Sequence, residues 1–238
     1  CYFANKIITI SKYHPIAVMI YSSSSFLGTP WDVIVKLYRD NLKEKDFNSV
    51  SDYISDFIKF LSDNSFFCSE GFQRKVLRMH IFRLYQDIER KAIAIIGGEV
   101  TDSNKPYLFK TIKDELSSLK EKLDKSEPCE GLKSYTFEKF EKYSIDILDE
   151  LYNYIVNHTG ASPELYEHAK QTAFSFLKSS FNLLGYTGLV FVGYGKFDIF
   201  PSLKSINVST AFDGFLKYSY DKQSEAVISE NNMAAVLP

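Results

Sequence analysis

An N-terminal cysteine joins a nucleophilic thiol to an α-amine that can take its proton, so Cys1 has the chemistry of a self-contained nucleophile. The competing account is that Cys1 is merely where the sequence begins. Cys68 and Cys129 complete an odd set of three, with no CxxC and no Cys/His ligand spacing, which argues against a disulfide framework and a structural zinc site. His14, His80, His158 and His168 are scattered without paired-ligand spacing, and no serine sits in a G-x-S-x-G elbow, so each histidine reads as structural or exposed. Gly193-Tyr194-Gly195 lacks the G-x-G-x-x-G spacing of a phosphate loop and is followed by strand-like sequence, which makes it a hairpin turn. Asp198 and Asp213 mark turns, and the Glu/Lys run over 113–125 is a solvated helix face with i,i+4 pairs. No metal or cofactor is implied.

Residues 6–10 and 15–21 carry the β-branched enrichment of strands, with Tyr13-His14-Pro15 as the turn between them. Ser22 to Ser25 is a small polar run. Thr29-Pro30-Trp31-Asp32 then places a capping threonine, a proline at the first helical position and an acid in the first turn. Trp31, Ile34, Val35, Tyr38 and Leu42 fall on one face, predicting a helix over about 30–43, and Ser49 or Ser51 caps a second helix striped by Tyr53, Ile54, Phe57, Ile58 and Leu61. Longer helices are expected over 69–96, ended by Gly97-Gly98, and over 105–125, with two more over 135–157 and 163–181. After Gly185 the segments 187–195, 199–209, 213–220 and 224–230 are short and rich in Val, Ile, Phe and Tyr. Strands bracketing helices predict an α+β fold, with the terminal strand groups joined in antiparallel sheet and helices covering one or both faces.

Two of these strand pairs carry a family resemblance. Asn5-Lys6-Ile7-Ile8-Thr9-Ile10 leads through Ser11-Lys12-Tyr13-His14 into Pro15-Ile16-Ala17-Val18-Met19-Ile20-Tyr21. It resembles the hairpin of proteasome-type β subunits, where a lysine opens a strand, a polar turn follows, and an apolar strand runs into small residues and a helix. Gly188-Leu189-Val190-Phe191-Val192-Gly193-Tyr194-Gly195, through Lys196-Phe197-Asp198-Ile199 to Phe200-Pro201-Ser202-Leu203, resembles the later hairpin of that fold.

The resemblance implies an incomplete N-terminal-nucleophile (Ntn) hydrolase core over 1–62 and 186–238, with the helices of 69–181 as an insertion. It implies amide or peptide bond hydrolysis if the complete protein carries a nucleophile. Lys6 occupies the place of the family lysine whose charge tunes proton transfer beside that nucleophile; the alternative is a solvated lysine at a strand start. Cys1 lies too close to Lys6 for the family pattern, which places a whole hairpin between nucleophile and lysine. Both ends of the sequence read as cut, so the chain alone is expected to be inactive. A rival function is a catalytically inert oligomerisation or interaction protein on the same scaffold.

Net charge of -2 and a pI near 6.1 provide no field that would draw polyanions, so nucleic acid is a poor partner. No signal-peptide pattern or bilayer-length apolar run is present, and the cysteine usage fits a reducing cytoplasm, with no membrane partner. Family relatives assemble into rings, which implies a homo-oligomer acting on protein or peptide substrates.

Overall fold

The computed structural model describes residues 7–63, 69–159, 163–182, 185–221 and 226–227. The chain divides into two compact units, residues 1–73 with 184–238, and residues 74–183. Its class is α+β with antiparallel sheet.

The first unit is built on a six-stranded antiparallel sheet of β1 (Ile7–Thr9), β2 (Ile16–Ser22), β5 (Thr187–Gly193), β6 (Ser202–Phe212) and β7 (Phe215–Tyr220), in that order, with β8 (Ala226–Val227) pairing with the start of β6. The amino-terminal strands therefore lie in the same sheet as 187–193, as expected: β2 pairs along its whole length with β5, from Ile16↔Gly193 to Ser22↔Thr187. The period of two along β2 sends Ile16, Val18 and Ile20 to one face, where Leu189 and Phe191 of β5 and Ile206 and Val208 of β6 join them.

Two helices cover that face. α1 (Trp31–Leu42) buries Trp31, Ile34, Val35, Tyr38 and Leu42, and α2 (Val50–Asp63) buries Val50, Tyr53, Ile54, Phe57, Phe60 and Leu61. Each fully buried side chain of this size contributes about 1.5–3 kcal/mol by leaving water. Phe57 is the hub, with ring centroids 4.8 Å from Tyr38 and 5.4 Å from Phe191. Ser49 caps α2 reciprocally: its hydroxyl accepts from the Asp52 amide at 3.3 Å while the Asp52 carboxylate accepts from the Ser49 amide at 3.1 Å.

The start of α1 differs from the sequence expectation. Thr29 does not cap it. Thr29–Pro30 is a short strand, β4, paired with β3 (Ser25–Phe26) across Leu27 (φ 47°) and Gly28 (φ 83°). Two successive positive φ values make a tight mirror-image turn that matches strand twist, and this hairpin claims Thr29 and moves Pro30 to the N-cap.

The second unit is helical: α3 (Glu70–Ile95) enters it at Arg74, followed by α4 (Lys105–Lys125), α5 (Phe137–Tyr143), α6 (Ile145–Thr159) and α7 (Pro163–Lys178). α4 and α7 run parallel, since Lys113 pairs with Glu164, Ser117 meets His168 and Asp124 meets Ser175, each 51 positions apart. The expected single helix over 135–157 is two. It breaks at Ser144 (φ -106°, ψ 19°), where the Arg74 guanidinium takes the Tyr143 carbonyl at 2.6 Å. The Lys170 side chain is buried. Burial opposes its charge, but bonds to Glu141 at 2.6 Å and Glu167 at 3.0 Å outweigh that, so its pKa is raised. Cys129 is a buried thiol.

Candidate functional site

The end of β2 opens onto a cavity of about 470 Å³ in the first unit. Ile8 of β1, Ile20 at the end of β2, the run Ser22 to Ser25, and Trp31 and Asp32 at the start of α1 are among the residues around it. The local sequence dictates this shape. Ile20 is the last core residue of the strand, and Ser22 (φ 71°) then turns the chain in a left-handed conformation that a non-glycine residue seldom adopts.

The serine run is held by its neighbours. The Ser23 hydroxyl donates to the Ser25 carbonyl at 2.9 Å, and the Trp31 amide donates to the Ser24 carbonyl at 3.1 Å. The Trp31 indole N–H donates to Thr187 Oγ1 at 2.9 Å, and that hydroxyl in turn donates to the Ser23 carbonyl at 3.5 Å. Side chains of Ser23, of Trp31 in α1 and of Thr187 in β5 thus fix the rim.

Strand parity decides which way the backbone donors point. The Tyr194 amide donates to Pro15 O at 3.2 Å, so odd-numbered residues of β2 face β5. The Ile10 amide donates to Ile16 O at 3.1 Å, so even-numbered ones face β1. The amides of Ile20 and Ser22 belong to the second set. Described pairing with β1 stops at Ile7↔Met19, so among the described residues no β1 partner faces them. Apart from the Tyr21 phenol, whose pKa is raised chiefly by burial, Asp32 is the one ionisable group among the described residues lining the cavity. The arrangement offers serine hydroxyls and an apolar floor to a small polar group.

Lys6 and Cys1 lie outside the described residues, as does Cys68. Lys6 immediately precedes β1, whose Ile8 lines the cavity. The other sequence candidates are not brought to it. Gly193 closes the β5 end against β2, where a Cβ would stand 2.1 Å from Pro15 O, so the Gly193-Tyr194-Gly195 segment is a hairpin turn with a close backbone approach. Asp198 accepts from the Gly195 amide at 2.7 Å, and Asp213 (φ 51°) with Gly214 (φ 72°) forms the β6–β7 turn. His14 sits in the β1–β2 turn, its amide bonded to Ser11 Oγ. His80, His158 and His168 belong to the helical unit, His158 stacked on Tyr154 at 4.0 Å. Among the described residues no group of three His, Cys, Asp or Glu could hold a metal, and no helix is long and apolar enough to cross a membrane.

Sequence reasoning passed over Ser22 to Ser25 and Asp32 as site residues. The available signal was a serine run directly after an apolar strand, where the chain must turn and where small side chains leave backbone donors accessible. No protein-family model matches the chain, and neither does any curated protein or solved structure.

Proposed function

We propose that this chain carries most of a proteasome-like Ntn-hydrolase core and that the complete protein cleaves amide or peptide bonds at the cavity beside β1 and β2. One observation carries the proposal: the hairpin that follows Lys6 and the later 187–212 hairpin are adjacent in one antiparallel sheet, with a serine-lined cavity at the end where Lys6 precedes β1. The helices α1 and α2 on one face of that sheet agree with a layered architecture.

In this mechanism the scissile carbonyl sits over the apolar floor of Ile8 and Ile20. A nucleophile supplied by the complete protein attacks the carbonyl carbon, and the developing oxyanion accepts from the Ser22 amide. The C–N bond breaks, the amine leaves with the nucleophile's proton, and water hydrolyses the acyl intermediate. Catalysis requires Lys6 to continue β1 on the face of Ile8, so that its ammonium favours the deprotonated form of a neighbouring α-amine. The proposal places the protein in the cytoplasm as a homo-oligomer acting on peptides, with the unit 74–183 as a helical addition.

A second function, an inert interaction protein on the same scaffold, is favoured by the single carboxylate among the described ionisable groups at the cavity apart from Tyr21. Turnover of fluorogenic peptides by the natural gene product, with Lys6→Ala and Lys6→Arg variants, separates the two. The hydrolase proposal expects Lys6→Ala to lower kcat/KM by orders of magnitude at an unchanged thermal midpoint, since a tenfold loss is about 1.4 kcal/mol of transition-state stabilisation. Unchanged turnover in Lys6→Ala removes Lys6 from the site. A natural gene product that turns over no peptide favours the inert scaffold.

A further inference from the structure

At the opposite end of β2, the β1–β2 turn and the carboxyl end of α1 enclose a second cleft of about 470 Å³. Four cations line it, Lys12, Arg39, Lys43 and Lys45, against two carboxylates, Asp40 and Glu44. Asp40 is engaged by Lys12 at 3.5 Å, which leaves three cations and one carboxylate, Glu44, in the rest of the lining.

Arg39 is the anomaly. Its Nε is buried without a hydrogen-bond partner, and no ion pair or side-chain hydrogen bond of Arg39 exists among the described residues. A guanidinium donor withdrawn from water and left without an acceptor costs about 1–3 kcal/mol or more, so structures usually supply one. Helix capping does not account for it. The last turn of α1 is already closed by backbone bonds, Lys43 N–H to Arg39 O at 3.3 Å and Lys45 N–H to Leu42 O at 3.1 Å, and neither uses the Arg39 side chain.

A second, independent feature points the same way. Lys43 has φ 52° and ψ -126°, a backbone region that favours glycine. A lysine held there keeps strain of about 1–3 kcal/mol, of the kind that accumulates where a side chain must be presented to a ligand. Here the strained lysine lines the same cleft as Arg39, whose Nε is unpartnered.

We propose that this cleft is a binding site for a phosphate group, anchored by the Arg39 fork and completed by Lys43 and Lys45. Guanidinium geometry matches phosphate oxygens in pairs, and the two lysines supply point charges around it. The cleft exceeds a phosphate group in size, and the largely exposed ring of Tyr13 stands at its rim, so a monoester with an aromatic or nucleoside group fits the same place. This site is independent of the hydrolase proposal.

Calorimetric titration of the intact protein with inorganic phosphate, adenosine monophosphate and acetate tests it. Saturable, salt-weakened binding of phosphate is expected, with acetate much weaker. Tighter binding of adenosine monophosphate identifies a nucleoside ester as the source; equal binding identifies the bare oxyanion. Arg39→Ala is expected to weaken binding at least about tenfold, and Arg39→Lys to recover only part of it, because charge alone does not restore the fork. Lys43→Gly guards against a folding artefact: it relieves the backbone and is expected to raise the thermal midpoint while still weakening binding. Absence of phosphate binding, equal binding of acetate, or wild-type affinity in Arg39→Ala would overturn the proposal.

Discussion

Trp31 and Thr187 are 156 positions apart in sequence, yet the indole N–H of the first donates to the hydroxyl of the second at 2.9 Å inside the core of the sheet unit. The contact ties the start of α1 to the start of β5 and sets the edge of the cavity at the end of β2. Because Trp31 is the chain's single tryptophan, its fluorescence reports this junction directly.

Thr187→Val keeps the shape and removes the acceptor, leaving a buried indole N–H unpaired. A loss of about 1–3 kcal/mol in denaturant-derived stability is expected, while Thr187→Ser retains most of the wild-type value. Unfolding followed by tryptophan emission measures both. Equal stability of Thr187→Val and wild type would show that this bond does not hold the rim.

Gly188 lies under the Tyr21 ring, which covers it from the neighbouring strand; a Cβ at Gly188 would stand 1.9 Å from that ring. Gly188→Ala must displace Tyr21, whose hydroxyl donates to Asn207 Oδ1 at 3.3 Å, so a loss of about 1–3 kcal/mol is expected from overpacking. Adding Tyr21→Ala vacates the space, and the double variant is expected to be less destabilised than the sum of the two single changes. Strict additivity in a double-mutant cycle would refute the contact.

Periodicity makes most of the fold legible in the sequence. The helix over 105–125 matches Lys105–Lys125, because stripes such as Leu108, Ile112 and Leu116 bury one face of a regular element. The features that periodicity misses are those set by tertiary contact. Thr29-Pro30 carries a good helix-start signal, but Leu27-Gly28 turns it into a hairpin, and the run over 135–157 breaks at Ser144 beside a guanidinium from a distant helix. The cavity is hidden for a related reason. Its rim is set by a left-handed residue at Ser22 and by the bond between Trp31 and Thr187, which no local side-chain pattern records.

Tyr154 of the helical unit donates to the buried Glu89 carboxylate at 2.8 Å, and its pKa is pushed up to about 12, first by burial and then by the Glu89 bond and charge. A phenol whose folded pKa exceeds its ordinary value of 10.0 adds stability that is fully present below the unfolded value. Between these two values the unfolded chain sheds the proton while the folded one keeps it, so stability falls as pH rises through that window. Tyr85, raised by burial and by Glu89, acts in the same direction. Denaturant midpoints measured across this alkaline range are expected to drop for wild type and to drop less steeply for Tyr154→Phe. Parallel slopes for the two proteins would exclude Tyr154 as the source.

Ser22 ends β2 at φ 71°, on the rim of the cavity, and its substitutions separate backbone strain from side-chain function. A left-handed residue with a Cβ costs about 1–2 kcal/mol, whereas placing glycine there costs about 0.4–1 kcal/mol through the greater freedom of the unfolded chain. Strain is the larger effect. Ser22→Gly is therefore expected to raise stability slightly, by up to about 1 kcal/mol, and Ser22→Val to lower it, because a β-branched side chain tolerates positive φ worst. Ser22→Gly also keeps the backbone N–H that the hydrolase proposal assigns to the oxyanion. Under that proposal the natural gene product retains its peptide turnover in Ser22→Gly and loses it with changes at this position that displace the amide. Thermal melts of the two variants, run beside their turnover, read both effects, and a Ser22→Gly protein less stable than wild type would show that the serine side chain, not the turn, holds this end of the strand.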